Sequence, residues 1–63
     1  MNPTFPVGTR VKLTQPLGSL PVGSKGTVMQ TFFLAEEEYC HVHFDAVSGP
    51  STILVPDEML AAA

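Results

Sequence analysis

One stretch decides the fold, Pro21-Val22-Gly23-Ser24-Lys25-Gly26-Thr27-Val28-Met29, in which two glycines precede a run of β-branched and apolar residues. Glycine adopts backbone angles that other residues reach only with strain, so Gly23 and Gly26 predict a tight turn. A strand should then begin near Thr27 and run to Leu34. We expect this turn to be the corner at which a small sheet begins to curl.

Alternation of apolar and polar residues predicts further strands on both sides of this turn. The period of two indicates half-buried strands at residues 9–14, 39–45 and 51–55. In the second strand, residues 27–34, Phe32 should share the inward face of Val28, unless a β-bulge shifts the register. The predicted inward residues are Val11, Leu13, Val28, Phe32, Cys40, Val42, Phe44, Ile53 and Val55.

The structures of the connecting segments are predicted from their prolines, glycines and charged residues. Residues 15–22 carry two prolines and a glycine, which indicates a loop that either folds back over the core or presents its apolar residues to a partner. Residues 35–38 predict a hairpin loop whose three glutamates form a solvated tip or an acidic docking point. Residues 56–59 predict a single tight turn, after which Leu60 closes the end of the core.

The length of 63 residues predicts one domain, with residues 1–6 as an extended lead-in and 61–63 as a tail. Such a chain has a thin core, and its single cysteine, Cys40, allows no internal disulfide. The low charged fraction of 14% is a hint of an interface, so self-association into a homo-oligomer is one expectation.

The net charge of −3 argues against nucleic acid as the main partner, because nucleic-acid affinity depends on many lysines and arginines. No stretch approaches the roughly 20 apolar residues that span a bilayer, so no membrane association is expected. The first residues do not form a signal peptide. The lone cysteine then favours a cytoplasmic location.

The order of strands, loops and turns resembles that of SH3-like small β-barrels. The resemblance rests on the segments 7–13, 22–28, 42–45 and 53–56 together with Leu60, and it covers residues 7–60. It implies an all-β barrel of about five short antiparallel strands with one 3-10 turn near the C-terminus. The variable chain of ferredoxin–thioredoxin reductase, which is similar, implies an accessory subunit that packs on a larger protein. The KOW-type barrels, also similar, imply binding to RNA or to ribosomal and transcription proteins.

A third resemblance is to the plasmid-borne type II dihydrofolate reductases, which are tetramers of SH3-like barrels with one active site in a shared pore. Residues 51–60 align without gaps on the pore segment of that family. The glutamine and tyrosine of the family, which bind cofactor and substrate, fall at Ile53 and Val55. Because apolar side chains cannot replace those hydrogen bonds, the reductase activity is not carried over, and no cofactor is expected. The resemblance still leaves, as an alternative function, an oligomeric barrel that binds a small ligand in a shared pore.

The candidate chemical groups are few. His41 and His43 share a face and could contribute to a metal site, but zinc would need one or two further ligands, so we expect two half-exposed strand histidines. Cys40 among inward residues is interpreted as a core residue rather than a nucleophile. Asp57 and Glu58 suit the start of a helical turn. We therefore expect no catalytic or metal-binding residues and no enzymatic activity.

More apolar residues are present than a barrel core needs, and aromatic residues and methionine are enriched at interface centres. We therefore expect a protein-interaction or accessory module that binds a protein partner through exposed apolar and aromatic residues. Its surface should be a groove between the loops at residues 15–22 and 36–38, lined by Phe33, Tyr39 and His41. The predicted partner-binding residues are Leu17, Leu20, Phe33, Glu36, Glu37, Tyr39, His41, Leu54 and Met59.

Overall fold

The computed structural model describes residues 3–63, so the first two residues of the predicted lead-in lie outside the described part of the chain. Its elements are five strands and one 3-10 turn, and the predicted all-β architecture is confirmed. The strands are β1 (Arg10–Leu13), β2 (Lys25–Leu34), β3 (Glu37–Phe44), β4 (Ile53–Pro56) and β5 (Leu60–Ala62), and the 3-10 turn is Asp57–Met59.

The five strands form one antiparallel sheet with the order β4-β3-β2-β1-β5. The two edge strands both contribute to the core, because Val55 of β4 and Leu60 of β5 are buried against the same cluster. The sheet therefore curls around one core, which is the arrangement that a small barrel requires. The buried hydrophobic residues are Val11, Leu13, Leu20, Val28, Cys40, Val42, Phe44, Val55 and Leu60.

The two glycines of the organising stretch have different roles. Gly23 has a φ of 89° and occupies the turn, as predicted. Gly26 does not belong to the turn, because β2 already begins at Lys25 and Gly26 is buried within it. A Cβ atom at Gly26 would lie 2.7 Å from both the His43 carbonyl oxygen and Val42 Cγ1. Gly26 therefore permits the close approach of β2 and β3.

A β-bulge divides β2 into two halves. The register runs Val28↔Val42 and then Gln30↔His41, so Met29 is an extra residue on β2. The extra residue reverses the alternation that the sequence predicts for the second half of the strand. The inward position predicted for Phe32 is wrong, since Phe32 pairs with Tyr39 on the outer face.

The C-terminal segment also differs from the prediction. Leu60 is buried, as expected, but residues 61–63 are not a free tail. Ala61 and Ala62 pair with Lys12 and Val11 in the β1–β5 ladder. The backbone of the alanine run provides this pairing, which a side-chain pattern cannot reveal.

The β2–β3 hairpin closes through two residues only. Ala35 and Glu36 have φ values of 52° and 67°, as a type I′ turn requires. The predicted four-residue loop is therefore too long. Glu37 and Glu38 belong to β3, and Glu38 is 8% exposed rather than part of a solvated tip.

We expect the substitution Glu36→Gly to stabilise the chain by about 1 kcal/mol, because a left-handed backbone is strained for residues other than glycine. The free energy of unfolding in urea measures the effect. Glu36→Ala is the control, since it removes the same carboxylate and retains a Cβ atom. Equal stabilisation by both substitutions would assign the gain to charge rather than to the turn.

Arg10 and Asp45 form an ion pair across the outside of the sheet. Arg10 donates from Nη1 and Nη2 to the two carboxylate oxygens of Asp45, at 2.9 and 2.6 Å. Arg10 Nη1 also donates to Thr27 Oγ1 at 2.9 Å. The hydrogen bonds from Arg10 hold the pKa of Asp45 below its ordinary value.

A folded-state pKa below the unfolded one means that the Asp45 carboxylate contributes stability above its unfolded pKa. That contribution is lost as the pH falls through the folded pKa. We expect Arg10→Gln to raise the pKa of Asp45 in a carbon-detected NMR titration of its carboxyl group. Lys12→Gln removes the same charge without touching Asp45 and should leave its pKa in place. An equal rise in both variants would show that the ion pair is not its cause.

Candidate functional site

The outer face of β2, β3 and β4 carries a connected row of aromatic and apolar side chains. In one cross-strand row Phe32, Tyr39 and Pro56 are neighbours, and in the next Gln30, His41 and Leu54. We call Phe32, Tyr39, His41, Leu54 and Pro56 the outer patch. Antiparallel pairing places directly opposite residues on the same face, so these five side chains are adjacent.

Aromatic contacts hold the centre of the outer patch together. The ring of Phe32 stacks on Tyr39 with centroids 6.1 Å apart and meets His41 edge-to-face at 5.3 Å. Both arrangements are favourable for aromatic pairs. Phe32, Tyr39 and His41 are only partly buried, and Leu54 remains 46% exposed. The patch is thus a packed surface that still has apolar area to cover.

An acidic cleft of about 290 Å³ lies at the end of the hairpin, next to the 3-10 turn. Its lining residues are Phe33, Glu36, Glu37, Glu38, Pro56, Asp57 and Glu58. Pro56 belongs to both the cleft and the outer patch, so the two surfaces are continuous. This part of the molecule is therefore apolar on one side and negatively charged on the other.

One carboxylate of the cleft has a structural role. Glu38 accepts hydrogen bonds from the Thr4 backbone N–H at both carboxylate oxygens, at 2.8 and 3.0 Å. This contact ties the lead-in to the turn end of the hairpin, 34 residues away along the chain. It explains why Glu38 is buried while Glu36 and Glu37 are exposed.

Tyr39 and Glu37 connect the outer patch to the cleft. The Tyr39 hydroxyl donates to Glu37 Oε2 at 2.9 Å, and both residues lie on the same face of β3. This hydrogen bond is the main reason that the pKa of Tyr39 is raised, with the charges of Glu37 and Glu58 adding to it. Tyr39 therefore keeps its proton and remains a hydrogen-bond donor.

The structure separates Phe33 from the residues with which it was predicted to form a groove. Phe33 pairs with Glu38, on the face opposite to Tyr39 and His41, because the bulge at Met29 shifts the register. It is 44% exposed and lines the acidic cleft. Phe32 lies beside Tyr39 and His41, in the position that was predicted for Phe33.

The remaining predicted partner-binding residues divide by burial. Leu54, Glu36 and Glu37 are exposed, whereas Leu17 and Met59 are partly buried against the core. Leu20 is buried, and it exchanges two backbone hydrogen bonds of 2.9 Å with Leu17. The loop at residues 15–22 thus folds back over the core, which was one of its two expected arrangements.

The two histidines contact other residues of the protein, and the cysteine is buried in the core. His43 Nε2 donates to the Gly49 carbonyl oxygen at 2.8 Å, and His41 packs on Phe32. No cluster of three or more metal-ligating side chains occurs within residues 3–63. Burial raises the pKa of the Cys40 thiol to about 11, so at neutral pH the thiol is protonated.

Sequence reasoning missed Phe32 and Pro56 as residues of this region, and it missed the burial of Glu38. The bulge changes the face of the sheet on which Phe32 lies. The burial of Glu38 depends on Thr4, which is distant in the sequence. No helix in the described part of the chain is both long and apolar enough to cross a bilayer. No protein-family model, curated protein or solved structure matches this chain.

Proposed function

We propose that this chain is a non-enzymatic interaction module that binds a partner protein through the outer patch. The observation that carries the proposal is the row of Phe32, Tyr39 and Pro56 beside His41 and Leu54, a half-exposed aromatic surface on three adjacent strands. Aromatic side chains dominate the energy of protein interfaces because each buries a large apolar area at small entropic cost.

The acidic cleft defines the kind of partner. Four carboxylates that have no buried structural role border the outer patch, and the whole chain carries a net charge of −3. A partner with an apolar anchor flanked by lysine or arginine complements both surfaces. The apolar contacts provide the affinity, and the carboxylates contribute mainly to the association rate and to partner choice. The four carboxylates are Glu36, Glu37, Asp57 and Glu58.

The test begins by capturing partner proteins on the immobilised chain and continues by titration calorimetry with the purified partner. We expect Leu54→Ser to weaken binding by about tenfold or more, as for a residue near the centre of an interface. Glu37→Gln should reduce the salt dependence of association. Val22→Ser is the matched control, because Val22 is 60% exposed and lies on the loop at residues 15–22, away from the patch.

Two results would contradict the proposal. One is a partner whose affinity falls as much with Val22→Ser as with Leu54→Ser. The other is recovery of RNA in place of protein, with the steep salt dependence of phosphate contacts.

A further inference from the structure

Among residues 3–63, the second half of β2 is hydrogen-bonded to a neighbouring strand on one side only. Strand β1 pairs with β2 from Lys25 to Thr27, and the backbone of Gly8 and Thr9 extends this contact to Val28. Beyond Val28, β2 continues for six residues, of which all but the bulged Met29 pair with β3. Within residues 3–63, no backbone hydrogen bond from another segment reaches this side of residues 31–34. We call that side the distal edge.

The hairpin geometry identifies which backbone groups point outward along the distal edge. In a two-residue type I′ hairpin the residues that flank the turn, here Leu34 and Glu37, form a hydrogen-bonded pair. Bonded and non-bonded pairs alternate along an antiparallel ladder. Phe32 is therefore bonded to β3, and Thr31 and Phe33 direct their N–H and C=O groups away from it.

The composition of this half-strand lacks the features that protect an exposed edge. Residues 29–34, Met-Gln-Thr-Phe-Phe-Leu, contain no charge, no proline and no glycine. The other two edges of the sheet are short, since β4 has four residues and ends at Pro56 and β5 has three. Proteins usually protect edges with charges, proline or short strands. An uncharged edge rich in aromatic residues is typical of a strand that pairs with another strand.

We propose that the distal edge binds the distal edge of a second copy of this chain, in antiparallel register around Phe32. With a twofold axis at Phe32, Thr31 pairs with Phe33 of the second copy, and Phe33 with Thr31. All four outward N–H groups of the two copies then find C=O acceptors. The Phe32 rings face each other at a non-bonded pair, where cross-strand side chains are closest. Any antiparallel strand would satisfy these N–H groups, but a second copy also places a phenylalanine ring opposite Phe32, and aromatic cross-strand pairs are stabilising.

This pairing shares the Phe32 ring with the outer patch, and the effect of salt distinguishes it from the proposed function. Two copies that each carry a charge of −3 repel, so screening should strengthen their association. Binding to a basic partner should instead weaken as salt is added. A negative result for the strand pairing therefore does not decide whether the outer patch binds a partner, and the reverse also holds.

The experiment is sedimentation equilibrium of the purified chain up to about 1 mM, a range in which small interfaces associate. We expect a mass of twice the 6.7 kDa of one copy at the upper end. Phe33→Pro removes an N–H group that the monomer does not use, and it should weaken association by about tenfold or more. Phe33→Ala is the matched control, because it loses the same ring and keeps the N–H group.

A single species of 6.7 kDa at every concentration, or equal association of the proline and alanine variants, would overturn the proposal. Amide hydrogen exchange of the unmodified chain gives a readout that needs no variant. Protection of the Thr31 and Phe33 amides should rise with protein concentration, whereas that of the Phe32 amide should be present throughout. Thr31 and Phe33 amides that exchange equally fast at all concentrations would also exclude the pairing.

Discussion

Replacement of Gly26 by alanine should destabilise the fold by about 1–3 kcal/mol, the usual cost of overpacking a filled core. The new Cβ atom would lie 2.7 Å from the His43 carbonyl oxygen and from Val42 Cγ1, and 3.0 Å from Phe44 Cα. Two of these atoms belong to the backbone of β3, so the strands themselves would have to separate. A domain of this size rarely has more than about 3–5 kcal/mol of stability. Urea denaturation should therefore show a chain that is close to unfolding.

Two further variants distinguish the cost of close packing at Gly26 from the cost of an unfavourable backbone conformation. Gly23→Ala meets no atom within 4 Å and is strained only by its φ of 89°, so it should cost about 1–2 kcal/mol. Val42→Ala removes one of the two closest atoms. Combined with Gly26→Ala it should therefore destabilise less than the sum of the single changes. Strict additivity of the pair would show that Gly26 and Val42 do not compete for space.

Truncation of Phe44 to alanine should have the largest effect, a loss of about 3–5 kcal/mol. Phe44 is the largest fully buried side chain, with 1% of its surface exposed. It lies opposite Gly26 in the β2–β3 ladder, where the missing side chain of Gly26 cannot fill a cavity. We expect the variant to be largely unfolded at 25 °C by circular dichroism.

Phe33→Ala is the matched control for Phe44→Ala, since it removes the same ring from a position that is 44% exposed. At micromolar concentration, below the range of the proposed pairing, it should change the free energy of unfolding by less than about 1 kcal/mol. Similar losses of unfolding free energy in the two variants would contradict the assignment of Phe44 to the core and of Phe33 to the exposed cleft.

The sequence predicts the core of this fold well where alternation is undisturbed. In β3, Cys40, Val42 and Phe44 alternate with polar residues, and all three are buried as expected. The burial of Leu60 was also predicted correctly, because a tight turn directs the apolar residue that follows it against the end of the core. These assignments depend on local periodicity, which burial of one sheet face imposes directly.

The errors arise where a distant contact determines the local structure. The bulge at Met29 depends on how β2 bends between β1 and β3, so the positions of Phe32 and Phe33 could not be read from their own segment. The burial of Glu38 depends on Thr4, and the pairing of Ala61 and Ala62 depends on the backbone of β1. As a consequence, the sequence placed Phe33 beside Tyr39 and His41, a position that Phe32 occupies.

The extra residue at position 29 also makes the chain tolerant of a change in length. If Met29 were deleted, Gln30 would follow Val28 directly, and the pairs from Gln30↔His41 to Leu34↔Glu37 would keep their partners. Every later side chain would stay on its present side of the sheet. If a residue beyond the bulge were deleted while the bulge was kept, every later side chain of β2 would move to the opposite face of the sheet. A gene descended from this one can therefore lose one codon here and still encode the same aromatic surface.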